Sequence, residues 1–309
     1  MTRVCGPKGE HCFMIKFRPI LLTDKEWMDE LFALSDYRGC EYDFGNNYNW
    51  AGAFDLRIAR EGDLLLTLSR RDDGSHSYSY PAGGGDMAAA VEMCIEDANE
   101  RDADFHMHGV VPEQKEFLEK NFPGRFKFEP YRDGFDYIYL RSRLAELTGK
   151  KLHAKRNFIN RFEASHDWSY EPITTENLEE CREMNARWCQ QNDCYYNEDL
   201  REETCAGQKA FNYFVEEQLE GGLLRAEGEV VAFTMGAPLC SDTFDIHIEK
   251  AFSHIDGAYP MINREFVRRL PEKYVYVNRE EDVGDEGLRK AKLSYEPDIL
   301  LEKNAVELI

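Results

Sequence analysis

Along Thr243-Phe-Asp-Ile-His-Ile-Glu-Lys250, apolar and ionisable residues alternate one for one. That period puts Phe244, Ile246 and Ile248 on one face of a strand and Asp245, His247 and Glu249 on the other. The surrounding pattern predicts strands over 168–173, 223–226, 230–237 and 243–251, the second and third joined by a Glu227-Gly228 hairpin turn. Helical spacing of Leu178, Cys181, Met184 and Trp188 predicts a helix over 175–191 capped by Thr175. A second helix is expected over 202–219, ending at Gly221-Gly222, and a third over 259–270. An apolar run at 274–277 then breaks into acid and glycine, and a short helix (285–294) and a strand (299–302) follow.

The first half repeats this grammar less clearly. Strands are expected at 13–17, 54–59, 64–69 and 77–80, with a helix over 24–35 capped by Thr23 or Asp24. Glycines 83–85 lead into a helix over 86–100, then a strand (104–108), a helix (113–120) and strands at 126–130 and 135–140. Three strands followed by a glycine-punctuated helix, twice over, imply a diverged tandem duplication. At 309 residues the chain suits two domains of about 150 residues each, placed at 1–145 and 146–309.

Charge changes the picture at the junction. The net charge is −21, which opposes broad binding of nucleic acid. Yet Arg141, Arg143, Lys150, Lys151, Lys155, Arg156 and Arg161 cluster against the single acid Glu146. Residues 141–165 are read as a basic linking helix, either solvated or an anion dock for a phosphate-rich co-substrate. No window approaches the roughly 18 apolar residues of a membrane span, and the first twelve residues lack the apolar core of a signal peptide. A soluble, cytoplasmic chain is the expectation. The nine cysteines show no zinc-knuckle spacing, so no metal and no disulfide is expected.

Three stretches carry a resemblance to a known family. They are Asn278-Arg-Glu-Glu-Asp282 with Gly287-Leu-Arg-Lys-Ala-Lys292 and Ser294-Tyr-Glu-Pro297; Lys150 to Phe162; and Asp245 to Lys250 with Pro260-Met-Ile-Asn-Arg-Glu-Phe266. Together they resemble the family named for the C-terminal domain of phosphatidylglycerol lysyltransferase, over roughly residues 150–297. The resemblance implies an α/β fold class of α+β mixed sheets, with two tandem GNAT-like acyltransferase domains related to Fem-type aminoacyltransferases. It also implies acyl or aminoacyl transfer to a small-molecule or peptide amine, with a coenzyme A thioester or an aminoacyl-tRNA as donor. The tRNA end would meet the basic segment.

Candidate residues follow from chemistry and from that fold. Asp245, His247 and Glu249 in one row could relay a proton from an attacking amine. Tyr295 could protonate the leaving group. Asp256, Gly257, Ala258 and Tyr259 open a helix, where unpaired backbone N–H groups favour anions, although the glycine-rich pattern of a coenzyme A loop is reduced to Gly257-Ala258. Asn278 could bond a donor's amide chain at a strand edge. Arg289 and Lys290, with Lys150, Lys151, Lys155 and Arg156, could meet phosphate. From another class, a catalytically silent GNAT-like protein that binds a ligand or scaffolds a partner remains open. No P-loop, dinucleotide fingerprint or nucleophile elbow appears.

Overall fold

A computed structural model describes residues 14–71, 73–194, 196 and 198–309. Its strands are β1 (Arg18–Pro19), β2 (Arg57–Glu61), β3 (Leu64–Arg70), β4 (His76–Ser79), β5 (Ala82–Gly83), β6 (His106–Val110), β7 (Phe126–Pro130) and β8 (Asp136–Leu140) in the first half. The second half holds β9 (Trp168–Pro172), β10 (Glu220–Ala226), β11 (Glu229–Pro238), β12 (Thr243–Ala251), β13 (Tyr276–Asn278), β14 (Ile299–Leu301) and β15 (Asn304–Leu308). The helices are α1 (Lys25–Ser35), α2 (Phe44–Trp50), α3 (Met87–Glu100), α4 (Pro112–Asn121), α5 (Arg141–Glu146), α6 (His153–Ser165), α7 (Leu178–Gln191), α8 (Glu198–Asn212), α9 (Ala258–Arg269) and α10 (Glu286–Leu293). Among the described residues no helix is long and apolar enough to cross a membrane.

The strands form two mixed sheets. The first runs β1-β2-β3-β4-β6-β15-β7 with β5 against β3, and the second β14-β8-β13-β12-β11-β10-β9. Each has antiparallel strands leading to one parallel pair, β4 with β6 and β12 with β13. Each parallel pair is bridged by a helix, α3 or α9, because parallel neighbours need a crossover. The repeated grammar of the sequence is therefore present in the pairing.

The two sheets also exchange a strand reciprocally. β8, from the first half, lies between β13 and β14, while β15, the last strand, lies between β6 and β7. A division at 145 follows the order of elements along the chain, but each sheet borrows a strand from across it. Apolar clusters back both sheets, with Tyr139, Phe233, Phe244, Met261 and Val277 in the second and Leu66, Tyr78, Val91, Met107 and Val306 in the first.

Local departures from the sequence reading have local causes. The basic segment is two helices, α5 and α6, because Leu147 takes a left-handed conformation and its N–H closes α5 on the Arg143 carbonyl. Helix α7 starts three residues after Thr175, since the Asn177 side chain accepts the Thr174 N–H and makes a turn first. Helix α8 ends at Asn212, and Gly221-Gly222 lie inside β10, not at a helix stop. A Cβ on Gly222 would fall 2.2 Å from the Tyr170 hydroxyl, so packing, not termination, requires that glycine. Asp24 does not cap α1; its carboxylate takes both guanidinium nitrogens of Arg18 at 2.6 and 2.7 Å. The strand expected at 13–17 is absent over 14–17, and Phe13 lies outside the described residues. Helix α2 and strands β1 and β15 were not anticipated. Helix α2 is too short and too polar to show a clear period, and β15 follows the last strand after only two residues.

Val306 is buried where β15 faces Met107 and Phe128. Val306→Ala should lower stability by about 2 kcal/mol. Urea denaturation should show it as a shifted midpoint of one shared transition, because β15 sits inside a sheet of the other half.

Candidate active site

Strand β12 pairs with β13 only from Thr243 to Asp245, opposite Tyr276 to Asn278. Past that point the strands part. The Arg279 N–H bonds the Tyr137 carbonyl and the Tyr137 N–H bonds the Glu280 carbonyl, so the chain stays with β8 and leaves β12. Strand β12 runs on to Ala251 with β11 on one side and, among the described residues, no strand on the other.

The strict alternation expected along β12 fails at His247. Met235 and Gly236, adjacent on β11, face Ile248 and Ile246, which leaves His247 as an extra residue in a bulge. A one-residue slip moves every later side chain to the opposite face. Phe244 packs on Phe266 of α9, and Glu249 now also reaches α9, bonding Asn263 at 2.8 Å. Asp245 and His247 point the other way. The single row of Asp245, His247 and Glu249 is thus two separate groups.

In the first group, Glu249 binds Arg279 at 2.7 Å and accepts from Asn263. The Arg279 guanidinium lies 4.8 Å from the Tyr295 ring centre and 5.8 Å from that of Tyr139. Burial works against its charge, but Glu249, together with the Tyr139 and Tyr295 hydroxyls, holds it protonated. Its Nη1 is buried and has no hydrogen-bond partner. Tyr295 is buried, and burial raises its phenol, so it keeps its proton at neutral pH. Lys155 stands over the Tyr295 ring at 4.0 Å, and burial followed by repulsion from Arg279 lowers its ammonium to about 8.

The second group lies at the seam between the halves. His247 Nδ1 is 2.9 Å from Glu280 Oε1 and 3.7 Å from Asp245 Oδ2, while its Nε2 is 3.1 Å from Asp43 Oδ1. Burial opposes charge on His247, but Asp43 and Glu280 hold it protonated well above the ordinary range. Asp245, fully buried, is raised by burial and by Glu280. Glu217 accepts from Asn49 at 2.8 Å, and burial pushes its carboxyl up to about 7. A His247 already held as imidazolium is a poor base at neutral pH.

Other expected ligand-binding residues serve the fold. Asn278 is buried and saturated: it donates to the Arg38 carbonyl and to Asp136, and accepts from the Glu280 N–H. Arg289 is taken up by Asp282 and Asp133 at 2.6 Å each, and Lys290 is exposed on α10. Gly257 adopts φ +90° and a Cβ there would fall 2.4 Å from the Phe158 carbonyl, so α6 lies directly on the Asp256-Gly257-Ala258-Tyr259 turn. Asp256 pairs with Arg161 at 3.0 Å, and the Tyr259 hydroxyl accepts from Trp188. Arg156 braces the α5–α6 loop through the carbonyls of Leu147 and Gly149. Lys150 and Lys151, with Arg143, Ser142, Thr148 and Glu296, line an open cavity of about 420 Å³. Lys151 and Arg143 pair there with Glu296 and Asp298, partly exposed contacts that cost little to open.

The family described as "Phosphatidylglycerol lysyltransferase, C-terminal" matches residues 32–306. The chain belongs to this family. A conserved protein of unknown function from Bacteroides thetaiotaomicron is 43% identical, with TM-score 0.91, covering 96% of this chain and 100% of its own. L-PGS from Bacillus licheniformis is 16% identical, with TM-score 0.58 over 86% of this chain and 91% of its own. FemX is 10% identical, with TM-score 0.59 over 94% and 97%. No curated protein matches by sequence. The fold of this lysyltransferase-family chain is the tandem GNAT-like one.

Reading the sequence missed several residues that matter in this family member. Arg279 and Glu280 belong to the Asn278–Asp282 motif, but their placement depends on β13 ending at Asn278, which the sequence does not mark. Asp43, Asn49 and Glu217 carry no local signal, because long-range packing of α2 brings them to His247.

Glu217 gives a pH test. Between its unfolded value near 4.5 and its folded value of about 7, the folded chain holds a proton that the unfolded chain has released. Stability therefore falls as pH rises through that window. Glu217→Gln keeps an acceptor for Asn49 and removes the penalty. It should be more stable than the parent by about 1–3 kcal/mol at pH 8, with the gain fading towards pH 4.5 in denaturation curves.

Proposed function

We propose that the chain transfers an aminoacyl group from the ester end of a charged tRNA to an amine, at the opening between β12 and β13. The observation that carries this reading is Arg279, a buried, charged guanidinium with one nitrogen left without a partner. A donor of that kind, fixed by Glu249, suits the oxyanion that forms when an acyl carbon is attacked. The amine nitrogen bonds the ester carbon, and the carbonyl electrons move to an oxygen facing Arg279. Lys155 in its neutral form takes the amine proton. The carbon–oxygen bond then breaks, the departing ribose oxygen takes the Tyr295 proton, and Lys155, over that ring, returns a proton to the phenol.

Two features favour tRNA over coenzyme A as donor. The turn at Gly257 is covered by α6, and Pro260 in the first turn of α9 lacks an N–H, so that helix start makes a poor pyrophosphate cradle. The basic cavity at Arg143, Lys150 and Lys151 offers another seat for phosphates, next to Glu296 and so beside Tyr295.

Offering the purified chain aminoacyl-tRNAs or acetyl-CoA with simple amines, and measuring N-acylated product by mass spectrometry, tests this. Turnover is expected with tRNA, along a limb rising with pH through about 8 that Lys155→Met abolishes. Arg279→Met should cost about 10²- to 10³-fold in kcat. Transfer from acetyl-CoA alone would overturn the donor assignment. Full turnover by Arg279→Met would overturn the site, and donor binding without transfer would favour a silent binding module.

A further inference from the structure

We propose that Asp245, His247 and Glu280 form a site for a divalent transition-metal ion at the seam of the two halves, with Asp43 orienting the histidine. One nitrogen and two carboxylates present ligand atoms within 4.8 Å of one another, and the ion would take the place of the proton that Nδ1 carries in its absence. With bonds of about 2.1 Å, as zinc makes to nitrogen and oxygen, the 2.9 and 3.7 Å separations from Nδ1 correspond to ligand–metal–ligand angles of about 90° and 120°.

Two further observations point to an ion. Asp245 is 0% exposed, yet neither of its carboxylate oxygens has a hydrogen-bond partner. A buried carboxylate without a partner is costly, and a cation between Asp245, Glu280 and Nδ1 removes that cost. The far side of the imidazole completes the arrangement. Asp43 Oδ1 lies 3.1 Å from Nε2, at ion-pair distance though not aligned as a hydrogen bond, where an outer carboxylate typically orients a metal-bound histidine. Gly45 keeps that approach open, since a Cβ there would lie 3.1 Å from Asp43 Oδ1 and 3.7 Å from Nε2.

A neighbouring cluster shows the contrast. Cys40, Glu41 and Asp136 also gather three ligand types, but the Lys303 ammonium stands among them, 2.7 Å from each carboxylate and 3.4 Å from the sulfur. That ammonium is fixed in place, whereas the positive charge at His247 is a proton that an ion can replace. The expectation of no metal rested on the lack of cysteine knuckles, whereas this set is nitrogen and oxygen, suited to zinc or manganese(II).

The test is titration of full-length, chelator-treated protein with ZnCl2 and with MnCl2 by calorimetry, alongside thermal melts. The parent should bind one more ion than Asp245→Asn, and the melting temperature should rise with metal in the parent but not in Asp245→Asn. Glu280→Gln should also lose the ion, which covers the case of a poorly folding Asp245 variant. Asp43→Asn should weaken it about 10- to 100-fold, and Glu41→Gln should leave it unchanged. Taking differences between variants cancels ions held elsewhere on the chain. A parent that binds no ion, or equal stoichiometry and affinity in the parent, Asp245→Asn and Glu280→Gln, overturns the site.

Discussion

Lys303 enters the seam between the sheets at 3% exposure and meets Asp136 and Glu41 at 2.7 Å each. It comes from the two-residue link between β14 and β15, and Asp136 opens β8. Both therefore sit where the sheets trade strands. Burial alone would strip a lysine of its proton, but Asp136 leads the neighbours that hold Lys303 well above its usual value. Removing one partner of such a pair leaves an uncompensated buried charge, at about 3–5 kcal/mol. The exchange is thus pinned at its crossing point, and neither half has a complete sheet without the other.

The site depends on this exchange in specific ways. Strand β8, contributed by the first half, holds Arg279 and Glu280 by backbone bonds to Tyr137 and so draws the chain away from β12. Tyr139 of the same strand packs against Tyr295 with ring centres 6.4 Å apart. Lys292 of α10 bonds the carbonyls of Arg279, Glu280 and Glu281 and fixes the turn from below. Asp43 and Glu217 then close the other face of β12 around His247. Arg279 is rigid because Glu249, two aromatic rings and a borrowed strand position it together, and rigidity is what a donor aimed at developing charge requires.

Much of the second half was legible in the sequence, since β11, β12, α9 and α10 follow their apolar periods to within a residue or two. The candidate site was legible only in part. Glu249, Tyr295 and Lys155 do come together, but the bulge at His247 divides the expected row, and a bulge leaves no mark in a clean alternation. The sequence suggests Asn278 as a contact for a donor's amide chain at a strand edge and Arg289 as a phosphate contact on the helix that follows. In the fold, buried carboxylates and backbone groups use them up. Strand exchange was not readable from the sequence either, because β8 and β15 have the same local pattern whichever sheet receives them.

Native-state hydrogen exchange tests the interdependence of the halves most directly. Slowly exchanging amides of β3 and β6 should open with the same free energy as those of β11 and β12, and Lys303→Met should lower both sets by the same amount. If the first sheet opens alone, well below the second, or if Lys303→Met weakens one sheet and spares the other, the halves fold independently and the pinned exchange does not hold the site together.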